Sequence, residues 1–236
     1  MKILYIYPHP DDESFGPAHV MSKQRRQGHE VYLLTLTKGG ATKQRFKYNY
    51  SIKEMGNVRY QEMLNVKKVL DLNGMKVMDL PDSRLQEMDP RKIESIVMNE
   101  VEQIKPNVIV TYPVHGISGF HDHLVTHAIV KRAFLELKDN QSAYLKRLAF
   151  MTLSEAEAKL SKNLSLRSSS PELIDCIVEV DEQDIEKNHQ ALDCYVTYQE
   201  TIERIGIKNF IHNQACFEIF QENHNPPISD LFGKLS

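Results

Sequence analysis

The chain has no tryptophan and only three cysteines, Cys176, Cys194 and Cys216, among its 236 residues. The three are widely spaced, odd in number and contain no CxxC pair. This excludes a disulfide frame or a thiolate metal cage and predicts reduced thiols. Long apolar runs are also missing. None approaches the roughly 20 residues that a helix needs to span a bilayer, so no membrane partner is expected. An excess of charge of one sign is absent too. The 29 Lys and Arg against 32 Asp and Glu leave a formal net charge of −3. No segment clusters basic residues into a phosphate-tracking surface, so nucleic acid is not an expected partner. The first strand is not preceded by an apolar segment with a small-residue cleavage site, which predicts a cytoplasmic protein. What remains is of ordinary globular composition, 41% hydrophobic and 26% charged. The length suits one domain with ample surface to bury. Pattern alone leaves open whether copies associate into a homo-oligomer.

The densest chemistry lies at the start. Ile3-Leu4-Tyr5-Ile6-Tyr7 has the length and composition of a buried parallel strand. Directly after it comes Pro8-His9-Pro10-Asp11-Asp12-Glu13. Pro10 ends the strand and displays His9, Asp11 and Asp12 on the connection beyond its carboxyl end, where open α/β sheets gather ligands. A plainer reading makes Asp11 or Asp12 the cap of the next helix. A second His/Asp cluster downstream favours the functional reading.

Strand and helix signals then alternate, predicting an α/β fold with a mostly parallel sheet in a Rossmann-like, three-layer arrangement. A helix is expected over residues 14–28, closed by Gly28, and a strand over 31–36. Residues 41–52 read as a loop, 58–72 as a helix and 75–80 as a strand ending at Pro81-Asp82. Pro90 opens a helix to about Ile104, and residues 108–112 form a fourth strand. A helix follows the His121-Asp122-His123 cluster as far as Leu137. Further strands are expected over 148–153, 174–180 and 217–220, a loop over 161–171, and a helix over 182–204. The tail from Asn225-Pro226-Pro227 reads as loosely ordered. The chain is taken as one domain, 1–236: residues 1–135 form the core of the site, and 136–236 complete the sheet and pocket.

Two strand exits therefore carry His/Asp clusters, and a doubly wound sheet can bring them together at the carboxyl ends of its strands. Two imidazoles and one carboxylate make a three-ligand set that leaves positions open, as catalytic zinc sites do. Iron(II), Fe2+, suits the same donors. A water on such a metal has its pKa lowered toward roughly 7, and a carboxylate off the metal can act as general base. Adjacent aspartates provide one group for each task.

With these residues in hand, the chain resembles the PIG-L/LmbE-type zinc-dependent N-deacetylases. Pro8 to Glu13 resembles their AHPDDE motif, and Gly119 to His123 stands at their GHPDH motif. The likeness extends through Thr37-Lys38-Gly39, the helix after Arg59 and Leu80-Pro81-Asp82, covering about the first 135 residues. The resemblance implies that His9, Asp12 and His123 bind Zn2+, that Asp11 is the general base, and that Arg59 and Asp82 face a sugar-like substrate. It also implies an outer hydrogen-bonding role for Asp122. Residues 113–123 are most similar to the branch acting in bacillithiol biosynthesis, which removes acetyl from N-acetylglucosaminyl-malate. On that reading Arg59 would grip a malate carboxylate. Three departures stand out. Phe120 replaces the family's first histidine, leaving His121 as the nearest candidate for stabilising the oxyanion. Gly40 stands where relatives carry glutamate, and Tyr195-Val196-Thr197 only echoes the C-terminal His-Xaa-Ser/Thr-Gln.

The sequence therefore points to a hydrolase of an N-acetyl sugar conjugate. The alternatives are other N-acetyl sugars, amide cleavage of thiol conjugates of the same sugar, or a sugar- or metal-binding module on a degenerate site. A nucleotide-binding protein ranks low, because the first strand exit lacks G-x-G-x-x-G. His127 is read as packed or outer-shell, His115 as a loop residue, and His19, His29, His189, His212 and His224 are given no role.

Overall fold

A computed structural model describes residues 1–140, 142–160 and 165–235. In chain order the elements are β1 (Lys2–Tyr7), α1 (Asp12–Phe15), α2 (Ala18–Arg26), β2 (Glu30–Thr37), α3 (Ile52–Val69), β3 (Gly74–Leu80), α4 (Pro90–Ile104), β4 (Val108–Thr111), α5 (His121–Asp139), β5 (Arg147–Thr152), α6 (Glu155–Leu160), β6 (Cys176–Glu179), α7 (Glu182–Asp193), α8 (Gln199–Ile205) and β7 (Gln214–Ile219). The sheet runs β3-β2-β1-β4-β5-β7-β6. Strands β1 to β5 are mutually parallel, β7 runs antiparallel to β5, and β6 antiparallel to β7.

β1 is central and covered on both faces, which is why it reads as an unbroken apolar run. Its side chains alternate across the sheet. Ile3, Tyr5 and Tyr7 join one core with Met21 of α2, Met63 of α3 and Leu192 of α7. Leu4 and Ile6 join the other with Val97 of α4 and Val130 of α5. From β1 the chain winds outward to β2 and β3 on one side, and resumes at β4 on the other. That reversal opens a crevice between the exits of β1 and β4.

The expected helix over 14–28 is two helices. At Gly16 the chain passes so close to its neighbours that a Cβ would lie 2.8 Å from the Asp12 carbonyl oxygen and 2.9 Å from Met151 Cε. Pro17 then prevents continuation of the first helix. The expected loop over 41–52 contains a short 3-10 turn, Lys43–Phe46, and α3 begins at Ile52 rather than near Val58. A capping box starts it: Ser51 Oγ accepts from the Glu54 amide while Glu54 takes the Ser51 amide. Helix α4 begins where Pro90 places it, capped by Asp89. The expected 182–204 helix breaks after Asp193, with a 3-10 turn, Val196–Tyr198, between α7 and α8. Part of the 161–171 loop lies outside the described residues; α6, which precedes it, was not anticipated.

The tail is ordered, against expectation. Arg147, at the start of β5 and only 1% exposed, donates to both carboxylate oxygens of Glu222 (2.8 and 2.7 Å) and to the carbonyls of Leu231 and Gly233 (2.7 and 3.0 Å). Leu231 is fully buried in the core on that face. Burial alone would push the Glu222 carboxyl up, but Arg147 and His224 outweigh it and hold it below its ordinary 4.5. A carboxyl with a depressed folded-state pKa contributes stability above its unfolded value and loses it as the pH falls through the folded one. The Arg147–Glu222 contribution should therefore be complete at neutral pH and begin to fade as the pH falls below about 4.5. Arg147→Ala, which takes the guanidinium away from Glu222 and from two carbonyls, is expected to destabilise the fold by about 3 kcal/mol. Urea unfolding midpoints of wild type and variant, at pH 7 and pH 4, check both statements.

Candidate metal centre

The exits of β1 and β4 meet as the strand order requires. Asp12 is the first residue of α1, and its carboxylate accepts from the His9 amide (2.8 Å) and from Tyr112 Oη (2.7 Å). These bonds, not a helix cap, occupy it. His9 Nδ1 lies 3.5 Å from Asp12 Oδ2 and His123 Nε2 lies 3.4 Å from Asp12 Oδ1. Ligand atoms of His9, Asp12 and His123 all fall within 4.8 Å of one another. Burial would raise the Asp12 carboxyl, but the two facing imidazoles reverse this and hold it far below the ordinary carboxylate range.

Each histidine is aimed through its other nitrogen. His123 Nδ1 donates to the Gly116 carbonyl at 3.0 Å, which turns Nε2 toward Asp12, and its ring stacks on Tyr112 at 4.1 Å. His9 Nε2 lies 3.1 Å from Asp122 Oδ2, a bond it donates while Nδ1 faces Asp12. Asp122 also accepts the Ser83 and Leu85 amides at 2.8 and 3.1 Å and is 2% exposed. The outer-shell role falls to Asp122, but its partner is His9 across the crevice rather than an adjacent histidine. Such an aspartate fixes the tautomer and orientation of a ligating imidazole.

Asp82 approaches the same nitrogen, its Oδ1 3.4 Å from His9 Nε2, while its Oδ2 accepts the Ala41 amide at 2.6 Å. With Asp82 and Asp122, His9 forms a second cluster of ligand atoms within 4.8 Å. Burial would lower the His9 pKa, but Asp12, Asp122 and Asp82 together push it up to about 10. The pocket holds more negative than positive charge.

Asp11 stands outside the ligand set. It adopts a left-handed backbone, φ 85°, a conformation rare for non-glycine residues and concentrated at functional sites. Its carboxylate accepts from Arg59 Nη2 at 2.5 Å. Burial pushes the Asp11 carboxyl up and Arg59 pulls it back, leaving it at about 6. Arg59 is placed differently from the expected malate clamp. It is 3% exposed, donates to the Pro10 and Gly39 carbonyls at 2.9 and 3.3 Å, and lies 4.6 Å over the Tyr198 ring. A buried guanidinium needs an anion and acceptors close by, and Asp11 with those carbonyls supplies them. Gly39, at φ 63°, leaves room for it; a Cβ there would sit 2.8 Å from Arg59 Nη1.

His121 opens α5, is exposed, and lines the cavity. Phe120 stands edge-on to His123 at 5.5 Å and is 64% exposed. His127 bonds the Tyr112 carbonyl (2.9 Å) and packs on Phe150, away from the ligand set. His115 accepts from the Ile117 amide within its own loop. Sequence reasoning missed Tyr112, Tyr195 and Tyr198. Tyr195 Oη donates at 2.6 Å to Glu13, a fully buried carboxyl pushed up to about 7 by burial.

The His/Asp cluster, Asp11, Arg59, Tyr112 and Tyr198 open into one cavity of about 860 Å³. Its floor is the His/Asp cluster; its walls include Phe15, Met151, Leu166, Phe210 and Ile211. Such a size and mixed lining suit a small molecule. Among the described residues no helix is long and apolar enough to cross a membrane.

Comparisons with known proteins place the fold and the family. The fold resembles the zinc-inhibited form of teicoplanin deacetylase Orf2, at 12% identity and TM-score 0.70, covering 93% of this chain and 97% of that one. It also resembles N,N'-diacetylchitobiose deacetylase from Pyrococcus horikoshii, at 16% identity and TM-score 0.63, covering 93% and 83%. GalB, the 4-carboxy-2-hydroxymuconate hydratase of Pseudomonas putida KT2440, is similar at 10% identity and TM-score 0.69, covering 94% and 97%. No curated protein matches in sequence. Residues 4–134 match the family described as PIG-L, GlcNAc-PI de-N-acetylase, a span that holds both His/Asp clusters, and the chain belongs to that family.

Proposed function

We propose that the protein is a metal-dependent N-deacetylase that hydrolyses the acetamide of an N-acetylglucosamine conjugate. The observation that carries this is the division of labour between neighbouring aspartates: Asp12 faces both histidines, while Asp11 is turned away onto Arg59. Fold alone does not select the chemistry, since a hydratase shares it.

The donor set fits a divalent cation. Two aimed imidazole nitrogens and an ionised carboxylate converge, with surplus negative charge around them. His9, Asp12 and His123 would hold zinc, and iron(II) suits the same donors. When bound, the metal polarises the acyl carbonyl and supplies a nucleophilic water near neutral pH. Asp11 takes the proton of the attacking water and returns it to the leaving amine. Arg59 keeps Asp11 oriented, and Asp122 keeps His9 oriented. His121, outside the ligand set and at the positive end of the 19-residue α5, is assigned the oxyanion. Asp82 borders the sugar while anchoring the loop at Ala41.

The finer reading is a malate aglycone, as in bacillithiol biosynthesis. With Arg59 engaged by Asp11, the cations left for its carboxylates are Lys43 and Arg204. Both are exposed, both line the cavity, and neither has a carboxylate partner among the described residues.

Three outcomes are expected. Asp11→Asn should retain stoichiometric metal yet release acetate about 10²- to 10⁴-fold more slowly; near-normal turnover would rule the mechanism out, and a protein without metal or acetate release would be a binding module. Asp122→Ala should weaken metal binding about 10- to 100-fold, read by competition with a chelating dye. Lys43→Ala combined with Arg204→Ala should raise KM for N-acetylglucosaminyl-malate and leave free N-acetylglucosamine unaffected. Equal KM changes on both substrates would remove malate from the reading.

A further inference from the structure

One buried histidine in the cavity wall belongs to none of this machinery. His19, on α2, is 5% exposed and lines the same cavity as the metal ligands. Its Nδ1 lies 2.9 Å from Asn188 Oδ1. That oxygen is an acceptor, because the Asn188 amide nitrogen donates to the Ser14 carbonyl at 2.7 Å and so fixes the amide's orientation. Nδ1 therefore carries the ring proton and Nε2 carries a lone pair. Burial lowers the His19 pKa, which keeps the ring neutral. Nε2 has no hydrogen-bond partner among the described residues. The Gln214 carbonyl stands nearby, but it too is an acceptor and cannot pair with a lone pair.

A buried acceptor without a donor is strongly unfavourable. A ligand that brings a proton to it gains correspondingly. The acetyl methyl carries no such proton, whereas the hydroxyl and amine groups of a sugar conjugate do.

We propose that His19 is a specificity-determining residue whose Nε2 accepts a hydrogen bond from a hydroxyl or amine of the substrate beyond its acetyl group. The proposal rests on the sugar-deacetylase reading and adds to it the chemistry that the cavity selects. A malate aglycone, whose free groups are carboxylates, has no such proton, so on a malate conjugate the donor is a sugar hydroxyl, whereas a hydroxyl-bearing aglycone can supply it directly.

The test compares wild type, His19→Leu and His19→Gln on N-acetylglucosamine, phenyl N-acetylglucosaminide and 4-hydroxyphenyl N-acetylglucosaminide. Acetate release is measured alongside calorimetric binding of the three deacetylated amines. His19→Leu should lower kcat/KM about 10- to 100-fold for the donor-bearing substrate, mainly through KM. His19→Gln, which keeps an acceptor at that position, should recover most of the loss. A loss confined to the hydroxyphenyl compound assigns the donor to the aglycone, whereas an equal loss on all three assigns it to a sugar hydroxyl. Unchanged constants for all three, or equal losses in both variants, would overturn the proposal. Because His19→Leu also removes the bond to Asn188, thermal unfolding of each variant separates misfolding from lost recognition. If wild type releases no acetate but binds the amines in a His19-dependent way, the deacetylase reading fails and the assignment of His19 stands.

Discussion

Everything around the site follows from one imidazole crowded by carboxylates. Asp12, Asp82 and Asp122 all approach His9 within 3.5 Å, and Asp11 is next to Asp12 in sequence. Buried like charges repel strongly at low dielectric and persist only where each is matched. The structure matches them one by one. Backbone amides of Ser83, Leu85, Ala41 and His9 point at three of them, and Arg59 is buried to hold the fourth. The charge still unmatched is what a divalent cation would neutralise. The loop at 81–85, the turn at Gly39 and the unusual backbone of Asp11 are parts of that arrangement.

Topology makes the crowding possible. β1 lies between β2 and β4, and both strand exits open on the same crevice. β4 delivers Tyr112 and, through the Gly116 turn, His123; β3 delivers Asp82. Residues 100 positions or more apart in sequence, Tyr112 with Asp12 and His9 with Asp122, thus share hydrogen bonds at one point of the sheet. The bond from Thr111 Oγ1 to the Ile6 carbonyl, at 2.8 Å, ties the two strands just below the site.

How much of this was legible differed by element, for physical reasons. β1, β2 and β4 are buried on both faces, so their composition alone announces them, and Asp89-Pro90 carries its own helix-start chemistry. The Ser51/Glu54 capping box was equally readable, but the mixed residues after it hid the periodicity of α3. The break is carried by Gly16-Pro17, which the apolar pattern on either side obscured, and only its crowding by Met151 of β5 needed the fold. Arg147 and the tail are likewise joined only in three dimensions. At the site, His9, Asp11, Asp12 and His123 stood out because two short motifs held them at strand exits. The partner of Asp122 and the true company of Arg59 did not, since both depend on which loops the sheet order brings together. His19 was invisible: nothing in its sequence neighbourhood distinguishes it from a packed helix residue, and only the orientation of Asn188 reveals its free lone pair.

The departures from the family pattern acquire a common physical sense. Tyr195 stands where the C-terminal motif would begin with histidine, and its hydroxyl bonds the buried Glu13 rather than opening onto the cavity. With Tyr198 it frames Arg59, at 5.8 and 4.6 Å from the guanidinium. A histidine in that place would compete with Arg59 for the same anions, whereas aromatic rings supply an attractive face without a second positive charge. The C-terminal half therefore reaches the site through the pair Arg59–Asp11. Phe120 removes an imidazole from the opposite wall in the same way and leaves an apolar edge against His123. Of the two, only Phe120 lies in the cavity wall, where it leaves an apolar face beside the His/Asp centre. Elsewhere in the wall the buried Nε2 of His19, without a hydrogen-bond partner among the described residues, is an acceptor that a bound donor would satisfy.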